Sequence, residues 1–207
     1  MGVRCATYGP AFPVSALAGL PGAEFGLDAA ANALREAIAT YGSNEVGLPE
    51  HGWYRPFEAP GQVLFVARTT AVTGWAMVAL RAGERGWTLD EVGACDLRPT
   101  LPDGVTYADW WLDPAAPVPT ATTTTLSLEL MELSCTGGRS PEGRVLDPLV
   151  IYEERSILIA FAIRDLPGGH DCPGNPAYAY VLELTEPLGD RTLLDASKVP
   201  PSPPLGP

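Results

Sequence analysis

Lysine is all but missing from this chain, and histidine is scarce. Lys198 stands beside twelve arginines, and the two imidazoles are His51 and His170. With 13 basic residues against 25 acidic ones the formal charge is -12, and no Lys/Arg cluster offers a phosphate-binding face. A nucleic-acid partner is therefore not expected, and the same acidity opposes docking on anionic lipid. No apolar run approaches the roughly 20 residues that cross a bilayer, so no membrane span is expected. Met1-Gly2-Val3-Arg4-Cys5 has neither a charged n-region nor an apolar h-region, and no signal peptide is read in this chain. Cys5 follows Arg4 rather than a small-residue apolar run, which argues against a lipid anchor.

Catalytic motifs are missing as well. A Gly-x-Ser-x-Gly elbow, a Walker-type glycine loop, a dinucleotide fingerprint and His-Glu-x-x-His are all absent. A zinc site or a Ser-His-Asp triad would have to use one of two imidazoles. His51 lies in a Pro/Gly-rich turn and is expected to face solvent. No cofactor and no metal site is expected, and the chain reads as a non-enzyme.

The chain is rich in turn formers, with 22 glycines and 22 prolines spread through 207 residues. Together with 46% hydrophobic residues this predicts a globular protein of many short elements, with enough apolar mass for one large domain or two small ones. Asp28 is a good N-cap, and the run to Tyr41 places Ala30, Leu34, Ala37, Ile38 and Tyr41 on one helical face, with Gly42 as the stop. Residues 53–57, 62–68, 75–80 and 87–92 read as strands joined by turn-forming links, an antiparallel meander. Leu34 and Ile38 are expected to pack against a sheet bearing Trp75 and Trp87. Gly-Trp recurs at 52–53, 74–75 and 86–87 without a regular period. Core packing is its expected role, with an aromatic ligand platform as the alternative.

The proline- and threonine-rich stretch from Asp113 to Thr125 reads as a linker, which puts a domain boundary near Ala115 and gives domains 1–115 and 116–207. Beyond it Leu126, Leu128 and Leu130 alternate with polar residues, and the slip at Met131 suggests a bulge. Ile157, Ile159, Phe161 and Ile163 share one strand face, residues 149–152 form its hairpin partner, and Tyr178, Tyr180, Leu182 and Leu184 repeat the period of two. The fold class that follows is α+β, an N-terminal helix on an antiparallel sheet followed by a small disulfide-tied β-sandwich. Val199 to Pro207 reads as a polyproline tail, mobile unless it lies on its own domain or on a partner.

Four cysteines allow three pairings. Cys135 ends one strand and Cys172 sits in the loop leading to another of the same domain, so these two are expected to bond, leaving Cys5 for Cys95. Two such bonds imply maturation in an oxidising compartment. Asp165, His170 and Asp171 cluster about Cys172 and form the candidate functional loop. A reactive thiol there would need Cys172 free beside its base, and a disulfide-tied turn is the expected reading.

The segments Cys135-Thr136-Gly137-Gly138, Gly143-Arg144, Leu166 to Pro176 and Glu186 to Asp195 resemble the C-terminal half of uncharacterised exported proteins from high-GC Gram-positive bacteria. The likeness is carried by Cys172-Pro173-Gly174-Asn175-Pro176 and by Glu186-Pro187-Leu188-Gly189-Asp190-Arg191. It implies an extracellular or cell-surface location and no particular activity. The function expected is that of a non-catalytic binding or structural protein, with a protein or cell-envelope component as partner. A hydrolase or carbohydrate-active protein is one alternative. A subunit of an extracellular assembly is another.

Overall fold

The α-helix that Asp28 is expected to cap starts where its capping chemistry puts it. In the computed structural model, which describes residues 1–5, 9–42, 47–70 and 74–204, the Asp28 side chain accepts from the Ala31 N–H at 2.9 Å and α1 runs Ala29–Tyr41. Gly42 ends it for a steric reason. Its φ is an ordinary -64°, but a Cβ there would sit 2.6 Å from the Ile38 carbonyl oxygen, so only glycine lets the chain close against the last turn.

The chain divides into two compact units, Met1–Thr100 and Leu101–Pro207. Each is mostly β with antiparallel pairing dominant. In the first, β1 (Gly2–Cys5), β2 (Phe12–Pro13), β3 (Trp53–Ala59), β4 (Gln62–Arg68), β5 (Gly74–Gly83) and β6 (Gly86–Pro99) form one sheet in the order β2-β1-β6-β5-β4-β3. The four expected strands are β3 to β6. Gly61 turns the β3–β4 hairpin with φ +81°, a left-handed value that a side chain would resist. β1 reaches back to pair with Leu97–Pro99, the far end of the sequence of this unit.

Alternation along these strands decides what meets the helix. Ala30, Leu34 and Ala37 lie in one buried cluster with Trp53, Val63, Phe65, Ala67, Ala76, Val78 and Leu80. Trp75 belongs to the opposite set. It is one residue out of phase with Ala76, and it packs edge-on to Tyr54 and beneath the Arg68 guanidinium. Trp87 and Ile38 sit only at the margin of the helix cluster.

The second unit contains β7 (Val105–Leu112), β8 (Thr125–Glu132), β9 (Leu149–Tyr152), β10 (Ser156–Arg164), β11 (Tyr178–Glu183) and β12 (Thr192–Asp195). Its sheet order is β11-β8-β7-β10-β12, with β9 also on β10. The β10–β12 pair is parallel, the exception among the described residues. The expected joint near Ala115 falls inside this unit. β7 pairs with β8 and β10 through Ala108 and Trp110, so the Pro-rich stretch after it is an internal connection. Hydrogen bonds hold that connection: Asp113 N–H to Ser127 O, Gly189 N–H to Ala121 O and Leu188 N–H to Thr123 O.

The expected bulge at Met131 is not there. β8 keeps its register against both neighbours, so Glu132 takes the inward position that follows Leu126, Leu128 and Leu130. A carboxylate stands in the core, and the apolar Met131 is turned to the other face. The core itself is a cluster of Trp110, the three leucines of β8, Ile157, Ile159, Phe161, Ile163 and Leu182. Of the Pro-rich tail, the described part folds back on its own unit, with Asp195 N–H donating to Ser202 O at 2.7 Å. Residues 205–207 lie outside the described residues.

Candidate functional site

The loop carrying Asp165, His170 and Asp171 is built as a structural tie. Cys135 and Cys172 are bonded with their Cα atoms 4.7 Å apart, and Cys5 is bonded to Cys95 with Cα atoms 4.9 Å apart. No cysteine is free, so a thiolate beside His170 is not on offer. Asn175 donates through its side-chain amide to the carbonyls of Glu132 and Ser134, at 2.7 and 2.6 Å, and its oxygen lies 2.5 Å from the wholly buried Thr136 hydroxyl. Asn175, named above only for the resemblance it carries, is thus the side chain that ties this loop to the end of β8.

His170 has both ring nitrogens engaged. Arg139 Nη2 lies 2.8 Å from Nδ1 and 3.2 Å from Nε2, and Nε2 is 3.0 Å from Pro167 O. Asp165 accepts from the Ser134 hydroxyl at 3.2 Å, and Asp171 contributes its backbone carbonyl to Gly137 N–H. These three residues are brought into one loop region, but neither cavity described below is lined by them. Among the described residues no group of three His, Cys, Asp or Glu side chains is placed to hold a metal ion.

A better-formed concavity lies in the first unit. One wall is the outer face of α1, where Arg35, Ile38, Ala39 and Gly42 recur at helical spacing. The other is Glu24-Phe25 with Glu50-His51, and together they enclose a half-open cleft of about 500 Å³. That volume falls within the ordinary range for small-ligand and anchor-residue pockets. A smaller cavity of about 280 Å³ lies along the Pro-rich connection of the second unit, beside Leu112, Pro117 and Val118.

Glu24 organises the cleft from beneath. Its carboxylate, 3% exposed, accepts from Gly52 N–H at 2.8 Å and Trp53 N–H at 3.2 Å, which fixes the turn that carries His51. His51 Nδ1 is 3.8 Å from the same carboxylate, and its ring stacks on Phe25 with centroids 5.6 Å apart and planes inclined by 25°. On the helix side Arg35 donates to the carbonyls of Glu24 and Gly26, so the loop before the helix is clamped to it. Gly22 N–H donates to Trp53 O at 2.8 Å and closes the frame.

On this rigid frame stand side chains that ought to be buried. Leu20 is 99% exposed, Leu27 96% and Phe25 69%, all within eight residues. The stretch is Pro/Gly-rich and aperiodic. The signal available was the residue type itself, large apolar residues with no strand or helix to bury them. His51 faces solvent as expected, and its stacking on Phe25 is what composition could not show.

Comparison with known family models, curated proteins and solved structures finds no match to this chain.

Proposed function

We propose that this is a non-catalytic, exported binding protein that engages a partner protein through Leu20, Phe25 and Leu27 and the cleft that Phe25 lines. One observation carries the reading: Leu20, Phe25 and Leu27 are exposed within one short stretch of chain, and Phe25 lines the cleft beside the hydrogen-bonded turn that Glu24 holds. Exposed apolar side chains grouped this way mark interaction sites, and preorganised anchors lose little entropy on binding. The two disulfides support an oxidising compartment, and the resemblance to exported bacterial proteins supports a location outside the cell or on its surface. On this reading the first unit is a helix laid on an antiparallel sheet, and the second is a β-sandwich-like support.

A hydrolytic reading has one observation in its favour, the imidazole of His51 beside the buried carboxylate of Glu24. Against it, that carboxylate already accepts two backbone N–H groups, and no Ser, Cys or Lys lies among the described lining residues.

The test is quantitative capture of proteins from the culture fluid of the producing cell on immobilised wild type and on a Phe25→Ser/Leu27→Asp variant. The variant should lose the specific partner while keeping its unfolding midpoint. Equal capture by the two proteins would remove the reading. Hydrolysis of chromogenic esters or glycosides that disappears in His51→Ala would put the hydrolase in its place.

A further inference from the structure

We propose that Cys135–Cys172 is a thiol–disulfide exchange site, a bond that a soluble low-molecular-weight thiol opens and recloses in the folded protein while Cys5–Cys95 stays shut. The inference is independent of the cleft in the first unit.

Exchange begins with a thiolate attacking one sulfur of the bond, so a disulfide reacts only where a sulfur can be approached. The two bonds of this chain differ in that respect. Cys5 is 3% exposed and Cys95 0%, and both lie within paired strands, β1 and β6. Cys135 and Cys172 are both exposed, one in the loop after β8 and the other in the loop before β11. The chain beside them adds no cover, since a Cβ on Gly137 or on Gly174 would meet nothing within 4 Å. One bond is sealed in a sheet and the other is open to a reagent in solution.

Opening the exposed bond does not release the loops it joins. The Asn175 amide donates to Glu132 O and Ser134 O, its oxygen lies 2.5 Å from the buried Thr136 hydroxyl, and Gly137 N–H donates to Asp171 O at 2.9 Å. These contacts join residues 132–137 to residues 171–175, the same two segments that the sulfurs join, and none of them uses a sulfur. After reduction the two thiols therefore stay near one another at a high effective concentration, ready to close again. The step balances without any other reagent. A thiolate bonds to one sulfur, the S–S bond breaks, and the departing sulfur takes up the proton that the thiol gave up. A second thiol then attacks the mixed disulfide, so two electrons pass to the cystine and the thiol pair leaves as its own disulfide. The reduced protein stays folded and loses the stability that the bond supplies, which makes the second unit responsive to the thiol content of its surroundings.

The test is timed reduction of the full chain by dithiothreitol at neutral pH without denaturant, quenched by alkylation and read by peptide mapping. Label should enter Cys135 and Cys172 about a hundredfold or more faster than Cys5 and Cys95, because attack on a buried bond must wait for local opening. The half-reduced protein should keep its near-ultraviolet circular dichroism, and glutathione disulfide added after removal of the reductant should restore the Cys135–Cys172 bond. Asn175→Ala removes the parallel ties and leaves the cysteines in place. Once reduced, this variant should reclose about tenfold or more slowly than wild type. Thr136→Val weakens the same set of contacts and takes its place where the oxidised Asn175→Ala protein does not fold. Several results overturn the proposal: both bonds reduced at one rate, Cys5–Cys95 reduced first, or no label before denaturant is added. Loss of the near-ultraviolet signal in step with labelling would show that the bond opens only through unfolding, and reclosure as fast in the variant as in wild type would show that the hydrogen bonds do not hold the sulfurs together. Either outcome removes the exchange site.

Discussion

Glu132 and Arg144 form a two-pronged ion pair inside the second unit. The Glu132 side chain is wholly buried, and the guanidinium meets its two carboxylate oxygens at 2.8 and 2.5 Å while also donating to Arg164 O at 2.7 Å. The hydrogen bonds that the guanidinium donates to Glu132, opposed by desolvation, hold Arg144 above its ordinary pKa. Truncating one partner strands a charge in the core. Arg144→Ala should cost about 3 to 5 kcal/mol in urea unfolding, while Glu132→Leu/Arg144→Met should cost far less, because removing both charges leaves none unpaired. A single-variant loss below about 1 kcal/mol would show that water reaches Glu132 instead.

The helix offers a contrast between two residues one turn apart. Leu34 is 0% exposed in the core, whereas Ile38 is half-buried and lines the cleft. Leu34→Ala should cost about 2 to 5 kcal/mol and Ile38→Ala well under half of that, since a site open to solvent leaves no cavity. Chemical unfolding of the two variants measures it, and equal losses would mean that the cleft is closed in solution.

Asp28 gives the stability a pH dependence of known sign. The Ala31 N–H lowers its pKa most; desolvation opposes this, and Arg55 lowers the pKa further. A depressed folded pKa means that the ionic contribution is fully present above the unfolded value near 4 and is lost as pH falls through the folded value. Asp28→Asn keeps a capping acceptor but cannot titrate. The stability gap between wild type and Asp28→Asn should therefore shrink from pH 6 to pH 3, and a constant gap would place the charge elsewhere. Asp28→Ala should cost about 1 kcal/mol at neutral pH.

Non-reducing peptide mapping should recover Cys5–Cys95 and Cys135–Cys172 and no free thiol. The bonds span 90 and 37 residues, and in the chain-entropy picture each should contribute about 4 to 5 kcal/mol. Cys135→Ser/Cys172→Ser should lower the unfolding midpoint accordingly. A thiol titrating at Cys172 in the native protein would revive a reactive site at His170.

Much of this architecture could be read from local pattern. The helix showed in its cap and its apolar spacing, and β3 to β6 showed in alternating runs between turn formers, because each depends on neighbours a few residues away. The misreadings came from relations between distant residues. The slip at Met131 looked like a bulge because the partner that lets Glu132 stay inward, Arg144, is twelve positions on, and β7 looked N-terminal because what it pairs with lies beyond the prolines. The cleft was illegible for the same reason. Glu24, Arg35 and His51 mean little singly, and only the fold puts His51 over Phe25.

The pairing of the cysteines also has a consequence for how the protein is made. β1 can pair with β6 only when Pro99 exists, so Cys5 must wait for Cys95, and β12 completes the second unit only after Asp195. At about 5 to 20 residues per second that first wait is on the order of ten seconds. Yet the thiols emerge in the order Cys5, Cys95, Cys135, Cys172, and the native bonds join the first to the second and the third to the fourth. An oxidant that closes each new cysteine onto the one still waiting would make the right pairs without reshuffling. Pulse-labelled chains quenched with a thiol-blocking reagent should accordingly show the first bond closed before Cys172 is made. A cell producing this chain can then do so with an oxidase and no isomerase.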